Sequence, residues 1–395
     1  MIATMKLKVY PLKTECIFLE LLLADIICIA NIFERDSIIS GAFLLTFFVL
    51  MILIIKDTRG GRIKADFALL LVLSVINVVF NTLLSPEAQV SFNYFKKLIM
   101  FISAMAFFHI LDSNEIEGIE QKVALRFGLA ITFIFPIAYF ALNIRTLLGR
   151  YLTMGFTNPN FTSLWILHGF LFAATAFFKS ERIWIKVLLA LVGIALLYIA
   201  TLTLNRAIWV SIIMFVLLML LGISKKYLGL NKTIITILVI LPIFVVIIYH
   251  SLLSNSLFRR TFSFMASEGK GLASRTLVWD FAAEKLRQGW ILGDYSGISF
   301  GTGMSQMHNT HLDILCSYGI VPFILFILVM RRILISVSVE VESFTQHVAL
   351  CAFLAVILFG IFEASLFSGC TGLNYLTGAF LILSKGLKEK YENEV

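Results

Sequence analysis

Charge is scarce in this chain: Asp, Glu, Lys and Arg make up 14% of its 395 residues, whereas 59% are hydrophobic. A water-soluble fold of this length cannot hide so much apolar surface, so a globular cytosolic protein is excluded and lipid must act as solvent. Cysteine is sparse too. Of the five, Cys16, Cys28, Cys316 and Cys351 lie inside apolar runs and Cys370 lies near a helix end, which argues against a disulfide framework and offers no metal-type spacing. Also missing are low-complexity tracts, internal repeats and a separate soluble domain. No small-x-small cleavage site follows the apolar run 16–33, although Lys6, Lys8 and Lys13 precede it, so the run reads as a membrane helix rather than a removed signal. The net charge of +8 sits between hydrophobic runs, as topology signals do, and a nucleic-acid partner is not indicated.

What is present is a series of near-continuous apolar segments, each about 17 to 25 residues or slightly shorter, the length that crosses a bilayer as a helix. Approximate limits are 15–33, 38–55, 67–84, 95–111, 123–142, 160–178, 183–204, 207–222, 233–250, 309–330, 347–366 and 372–385. The expected fold is therefore all-α, a polytopic membrane protein with about 12 spans and one long external loop. Residues 183–221 are apolar apart from Asn205 and Arg206, nearly twice a bilayer core in length, so the chain must turn near Asn205. Basic residues cluster in 56–64, 179–186, 225–232, at Arg331-Arg332 and from Lys385 onward, while the alternate loops 34–37, 85–94 and 368–371 nearly lack them. That alternation places both termini in the cytoplasm. The chain divides into membrane helices over 1–250, a periplasmic loop with an amphipathic helix over 251–307, and membrane helices with a cytoplasmic tail over 308–395. Within the loop, Ser274 suits an N-cap, Leu277, Val278, Phe281, Ala282 and Leu286 form an apolar stripe, and Gly289 suits a C′ position.

Four groups of residues fall on the external side. Asn205-Arg206 is forced into a turn; an external Arg opposes the topology rule, and charge at membrane depth tends to be functional, although a snorkelling loop residue reads similarly. Arg259-Arg260, Ser274-Arg275, Arg145 and Arg150 gather guanidinium groups on one face, each singly an ordinary surface charge, together a match for phosphate oxygens. Gly301-Thr302-Gly303 precedes Met307-His308-Asn309-Thr310-His311 at a helix start. His308 suits proton transfer near neutral pH, Asn309 or Thr310 suits a cap, and His311 reads equally as reactive or interfacial. Gly155-Phe156-Thr157-Asn158-Pro159-Asn160 enters the sixth span, where capping is the slightly stronger reading and Asn160 a weaker binding candidate. Asp25, Asn77, Asn81 and His168 read as polar glue between helices, and Glu363, a lone acid in a span, as a residue facing a cavity.

The order of these elements carries a resemblance. Asn-Pro-Asn before one span, Asn-Arg between two, a long external loop with Ser-Arg and a Trp four residues on, then Gly-x-Gly and His-Asn before Ser-Tyr-Gly-Ile, resembles the O-antigen ligase and polysaccharide polymerase family over about Gly155 to Phe326. The resemblance implies a metal-independent, cofactor-free, inverting glycosyltransferase of the GT-C-like membrane class in the bacterial inner membrane, with an undecaprenyl-diphosphate-linked oligosaccharide as donor. It implies that Arg206 and Arg275 hold the diphosphate, with Arg260 a looser match, and that His308 acts on the acceptor hydroxyl. Asn205 stands where the family commonly has Ser. The expected partners are that donor, a glycan or lipid A-core acceptor, membrane lipids and a chain-length regulator, with no nucleic acid. An O-antigen or exopolysaccharide polymerase is the leading reading, an O-antigen ligase its nearest alternative, and a lipid-linked sugar transporter an alternative of another class.

Overall fold

The computed structural model describes residues 12–59, 63–84, 88–148, 151–156, 158–224, 228–253, 273–289, 291–295, 307–363 and 371–386. Fourteen α-helices occur among them: α1 (Leu12–Ile32), α2 (Asp36–Arg59), α3 (Ala65–Leu84), α4 (Ala88–Ser113), α5 (Gly118–Pro136), α6 (Pro159–Lys179), α7 (Ile183–Thr203), α8 (Arg206–Leu221), α9 (Lys232–Leu253), α10 (Ala273–Gly289), α11 (Thr310–Tyr318), α12 (Ile320–Val339), α13 (Phe344–Phe359) and α14 (Thr371–Ser384). The one β feature among the described residues is a two-residue antiparallel ladder, β1 (Leu147–Leu148) with β2 (Tyr151–Leu152). Seven helical segments are long and apolar enough to cross a membrane, and α2, α8, α13 and α14 supply shorter apolar stretches. The protein is an all-helical, polytopic membrane protein. In α1, Glu15, Glu20 and Asp25 interrupt an otherwise apolar run.

Local chemistry explains the breaks. Pro136 has no N–H to continue the helical ladder, and α5 passes there into a π-helical turn over Ile137–Ala141. Pro159 occupies the first turn of α6, where its missing N–H leaves no bond unmade, and Asn158 caps that helix. The turn after α7 falls at Leu204, in a left-handed conformation at φ 53°, with Asn205 capping α8.

Two features differ from the reading of the tenth span as one helix over 309–330. It is broken at Gly319, whose φ of 80° favours glycine and where a Cβ would lie 2.0 Å from the Ile291 carbonyl oxygen. The second piece, α12, runs on to Val339, so Arg331 and Arg332 lie inside a helix rather than in a loop. Arg332 reaches Asp66 at the start of α3, with Nη1 2.6 Å from Oδ2, and Arg331 Nε donates to the Thr236 hydroxyl at 2.8 Å. Long Arg stems let the charged heads reach polar partners while the helix stays in an apolar setting.

At the centre, α13 is buried at every position from His347 to Phe359. It packs against α14, α8 and α6, as a helix apolar on all sides must. Polar glue joins the surrounding helices: Asn81 donates to the Leu292 carbonyl at 3.1 Å, and His168 Nε2 lies 2.9 Å from the Thr377 hydroxyl. At the end of α14, Lys385 Nζ donates to the carbonyls of Leu111 and Asn114 at 2.8 and 3.0 Å, satisfying groups that the end of α4 leaves unpaired.

Candidate active site

The site is built around the start of α11. Asn309 is its N-cap, the Oδ1 atom accepting from the Leu312 N–H at 2.9 Å, while Nδ2 donates to the carbonyls of Pro242 and Ile361, both at 2.8 Å. Pro242 lies midway along α9 and has no N–H to give the Leu238 carbonyl, which interrupts the helical ladder at this level. His311 takes advantage of the same region, its Nε2 donating to the Val239 carbonyl at 2.6 Å. On the other side, the Thr310 N–H donates to the Gly360 carbonyl at 2.8 Å and its hydroxyl to the Glu363 carbonyl at 3.2 Å. The start of α11 is thus stitched both to the middle of α9 and to the chain that leaves α13.

His308 immediately precedes this stitching. It adopts a left-handed backbone at φ 49°, uncommon for a residue with a side chain and frequent at functional sites. Its Nδ1 lies 3.3 Å from Glu363 Oε2, with the His308 side chain 18% exposed and that of Glu363 4%. A proton on Nδ1 shared with the carboxylate leaves Nε2 with a lone pair, the arrangement that orients an imidazole as a base. Glu363, named from sequence as a cavity-facing acid, is brought to His308.

The residue before His308 is held on both sides. The Met307 carbonyl accepts from the Trp279 indole at 2.7 Å, and its N–H donates to Asp313 Oδ1 at 3.2 Å. That same oxygen accepts from Lys97 Nζ at 2.6 Å, in an ion pair whose side chains are 5% and 3% exposed. Lys97 also stands 4.4 Å over the Tyr295 ring, which stacks on Tyr94 at 4.7 Å. Sequence reasoning passed over this pair. Lys97 sits at the edge of an apolar run and Asp313 inside another, and the signal was available: opposite charges within apolar spans are expected to find each other.

Trp279 links α10 to His308. Arg275 lies one turn earlier on α10, about 6 Å along the axis at ~1.5 Å per residue; its side chain, like that of Ser274, lies outside the described part. Arg259, Arg260, Arg150 and Gly301 to Gly303 also lie outside the described residues.

Arg206 opens α8 and is exposed. Its level follows from packing, because Gly222 and the Leu218 carbonyl at the far end of α8 meet His347 near the start of α13. Both helices have 16 residues and run antiparallel, so the first turn of α8 comes to the end of the bundle where α13 finishes and the chain leads to Glu363. Arg206 and the His308–Glu363 pair therefore share one end.

The remaining candidates have simpler surroundings. Asn160 gives its backbone N–H to Asn158 Oδ1 at 2.9 Å in the first turn of α6. Gly155 sits at φ 82°, with the Asn31 carbonyl 1.8 Å from where a side chain would begin, so the turn before α6 requires glycine for close packing on α1. Arg145 is exposed and lies 5.1 Å over the Tyr139 ring. Asn309 and His311 are buried and bonded to backbone, which gives both a structural task. Among the described residues, no group of three or more His, Cys, Asp or Glu side chains converges. No protein-family model matches the chain, and no curated protein matches it in sequence.

Proposed function

We propose that the protein is a bacterial inner-membrane glycosyltransferase that moves a glycan from undecaprenyl diphosphate onto a sugar hydroxyl at the periplasmic face, as an O-antigen or exopolysaccharide polymerase. This reading includes about 12 membrane-crossing helices in a GT-C-like arrangement with both termini cytoplasmic. The observation that carries it is the half-buried His308 held against Glu363 at the same end of the bundle as the exposed Arg206.

The chemistry follows from those groups. The acceptor hydroxyl oxygen attacks the anomeric carbon, the bond from that carbon to the phosphate oxygen breaks, and the electron pair leaves with the diphosphate. Negative charge grows on the leaving group, so guanidiniums supplied by Arg206 and Arg275 stabilise the transition state more than the ground state. His308 Nε2 takes the hydroxyl proton, and Glu363 holds the ring and steadies the imidazolium that forms. One direct displacement inverts the anomeric centre.

The test is transfer by purified protein from a defined undecaprenyl-diphosphate-linked repeat unit. Arg206→Ala, Arg275→Ala and His308→Ala are each expected to abolish transfer with membrane abundance unchanged; full activity in two of the three would sink the mechanism. A null mutant that makes single repeat units supports the polymerase, whereas one that accumulates long lipid-linked chains supports the ligase.

A further inference from the structure

Four asparagines among the described residues cap helices through the side-chain oxygen, Asn231 doing so for α9 by accepting from the Ile234 N–H at 2.8 Å, and one of the other three is left incomplete. The Oδ1 atoms of Asn158, Asn205 and Asn309 accept first-turn N–H groups of Asn160, Ala207 and Leu312 at 2.9, 2.8 and 2.9 Å. In Asn309 the other half of the amide is also used, with both protons given to backbone carbonyls. Asn205 is 5% exposed, and its Nδ2 has no hydrogen-bond partner among the described residues. An amide donor taken out of water without an acceptor is disfavoured, and such groups are rare enough to call for a cause.

The orientation of that amide is set by its cap. Turned over, it would set its own protons against the Ala207 N–H, so Nδ2 is the free atom. Because Nδ2 and Oδ1 share one carbon, Nδ2 also stands at the mouth of α8. The groups gathered there are electropositive: the first-turn N–H groups, the positive end of a 16-residue helix, and the exposed Arg206 beside it. The missing partner is an anion with acceptor oxygens.

We infer that Asn205 is a phosphate-binding residue, its Nδ2 donating to an oxygen of the lipid diphosphate that Arg206 holds. This rests on the proposed glycosyl transfer and adds to it a second donor from the residue before the arginine. Asn205 does two jobs with one side chain, capping α8 through oxygen and meeting the ligand through nitrogen. Serine can do both with a hydroxyl, accepting through its lone pair and donating its proton; aspartate can cap but has no proton to give.

The experiment measures binding of undecaprenyl diphosphate to the full chain in nanodiscs, with inorganic pyrophosphate and undecaprenol as competitors. N205D keeps the shape and the cap, so its thermal midpoint without ligand stays at or above the wild type, but its affinity falls by about a hundredfold through the lost bond and added repulsion. N205G, which caps nearly as well and carries no charge, loses about tenfold and decides the matter if N205D fails to fold. N205S stays within about threefold. Wild-type affinity in both N205D and N205G overturns the inference while leaving the proposed function intact. A wild-type protein that does not bind the lipid diphosphate overturns the proposed function itself and this contact with it. Competition by pyrophosphate supports the contact; competition by undecaprenol with pyrophosphate inert overturns it.

Discussion

At the end of the bundle that carries Lys385, charged groups meet one another or close helix ends. Lys385 caps α4, Arg332 pairs with Asp66, and Lys64 Nζ lies 2.7 Å from Asp112. At the end that carries His308 the pattern is reversed. Arg206 is exposed, His308 is half-buried in a left-handed conformation, and Asn205 keeps a buried donor without an acceptor among the described residues. Lys97 and Asp313 are paired there, and their pairing holds the backbone next to His308. One end uses charge to fasten helices, although Asp112 Oδ1 and Arg332 Nη2 are left without hydrogen-bond partners there among the described residues. The other end fastens a few groups firmly and leaves Arg206 exposed beside the unpartnered Asn205 amide, the groups proposed to meet a ligand. Strain and unsatisfied polarity are characteristic of sites where function is drawn from the fold, and stability is gathered elsewhere.

The contrast can be broken by substitution. His308→Ala should have the largest effect on transfer, about 10²- to 10⁴-fold, the usual range for a general base, with little change in thermal stability. Lys97→Met should act in the opposite sense. It leaves Asp313 charged and buried without its partner, which costs about 3–5 kcal/mol, read as a fall in thermal midpoint; adding Asp313→Leu should recover most of it. Trp279→Phe removes one hydrogen bond to Met307, worth about 1 kcal/mol in denaturation, and its mark should be a loss of transfer exceeding the loss of folded protein. Lys64→Ala at the other end should be the mildest. Its side chain is 42% exposed, and the fully buried Asp112 still has Arg332 Nε 3.7 Å away when Lys64 is lost, so the fall in thermal midpoint should be smaller than for Lys97→Met and transfer per folded molecule unchanged.

Much of the fold was legible because hydropathy in a bilayer is a strong constraint: the expected apolar segments overlap helices, seven of them long and apolar enough to cross a membrane, and the turn near Asn205 falls at Leu204. The segment 309–330 nevertheless breaks at Gly319, and the segment 347–366 leaves the helix after Phe359, which puts Glu363 beyond a helix end rather than within one. The break at Gly319 was harder to read, since a single glycine in an apolar run is compatible with a continuous helix. Its need arises from the close approach of the Ile291 carbonyl, a contact between distant parts of the chain. Arg331 and Arg332 misled for a related reason, because their stems let a helix carry charge toward Asp66. At the site, His308 and Glu363 were singled out separately, but their pairing needs the chain after α13 to fold back on α11. Asn309 and His311 look alike with His308 in a string of polar residues. Only packing against α9 separates the two that fasten from His308, whose side chain stays partly exposed beside Glu363.

Sidedness is the central claim, because a site open to the periplasm must draw its energy from a lipid diphosphate rather than a nucleotide. It is tested most directly with an impermeant thiol reagent on intact cells carrying single cysteines in a cysteine-free background. Leu204→Cys, at the Arg206 turn, should label from outside, and Glu181→Cys, at the opposite end of α7, only after permeabilisation. Labelling of Glu181→Cys from outside with Leu204→Cys protected would contradict the account.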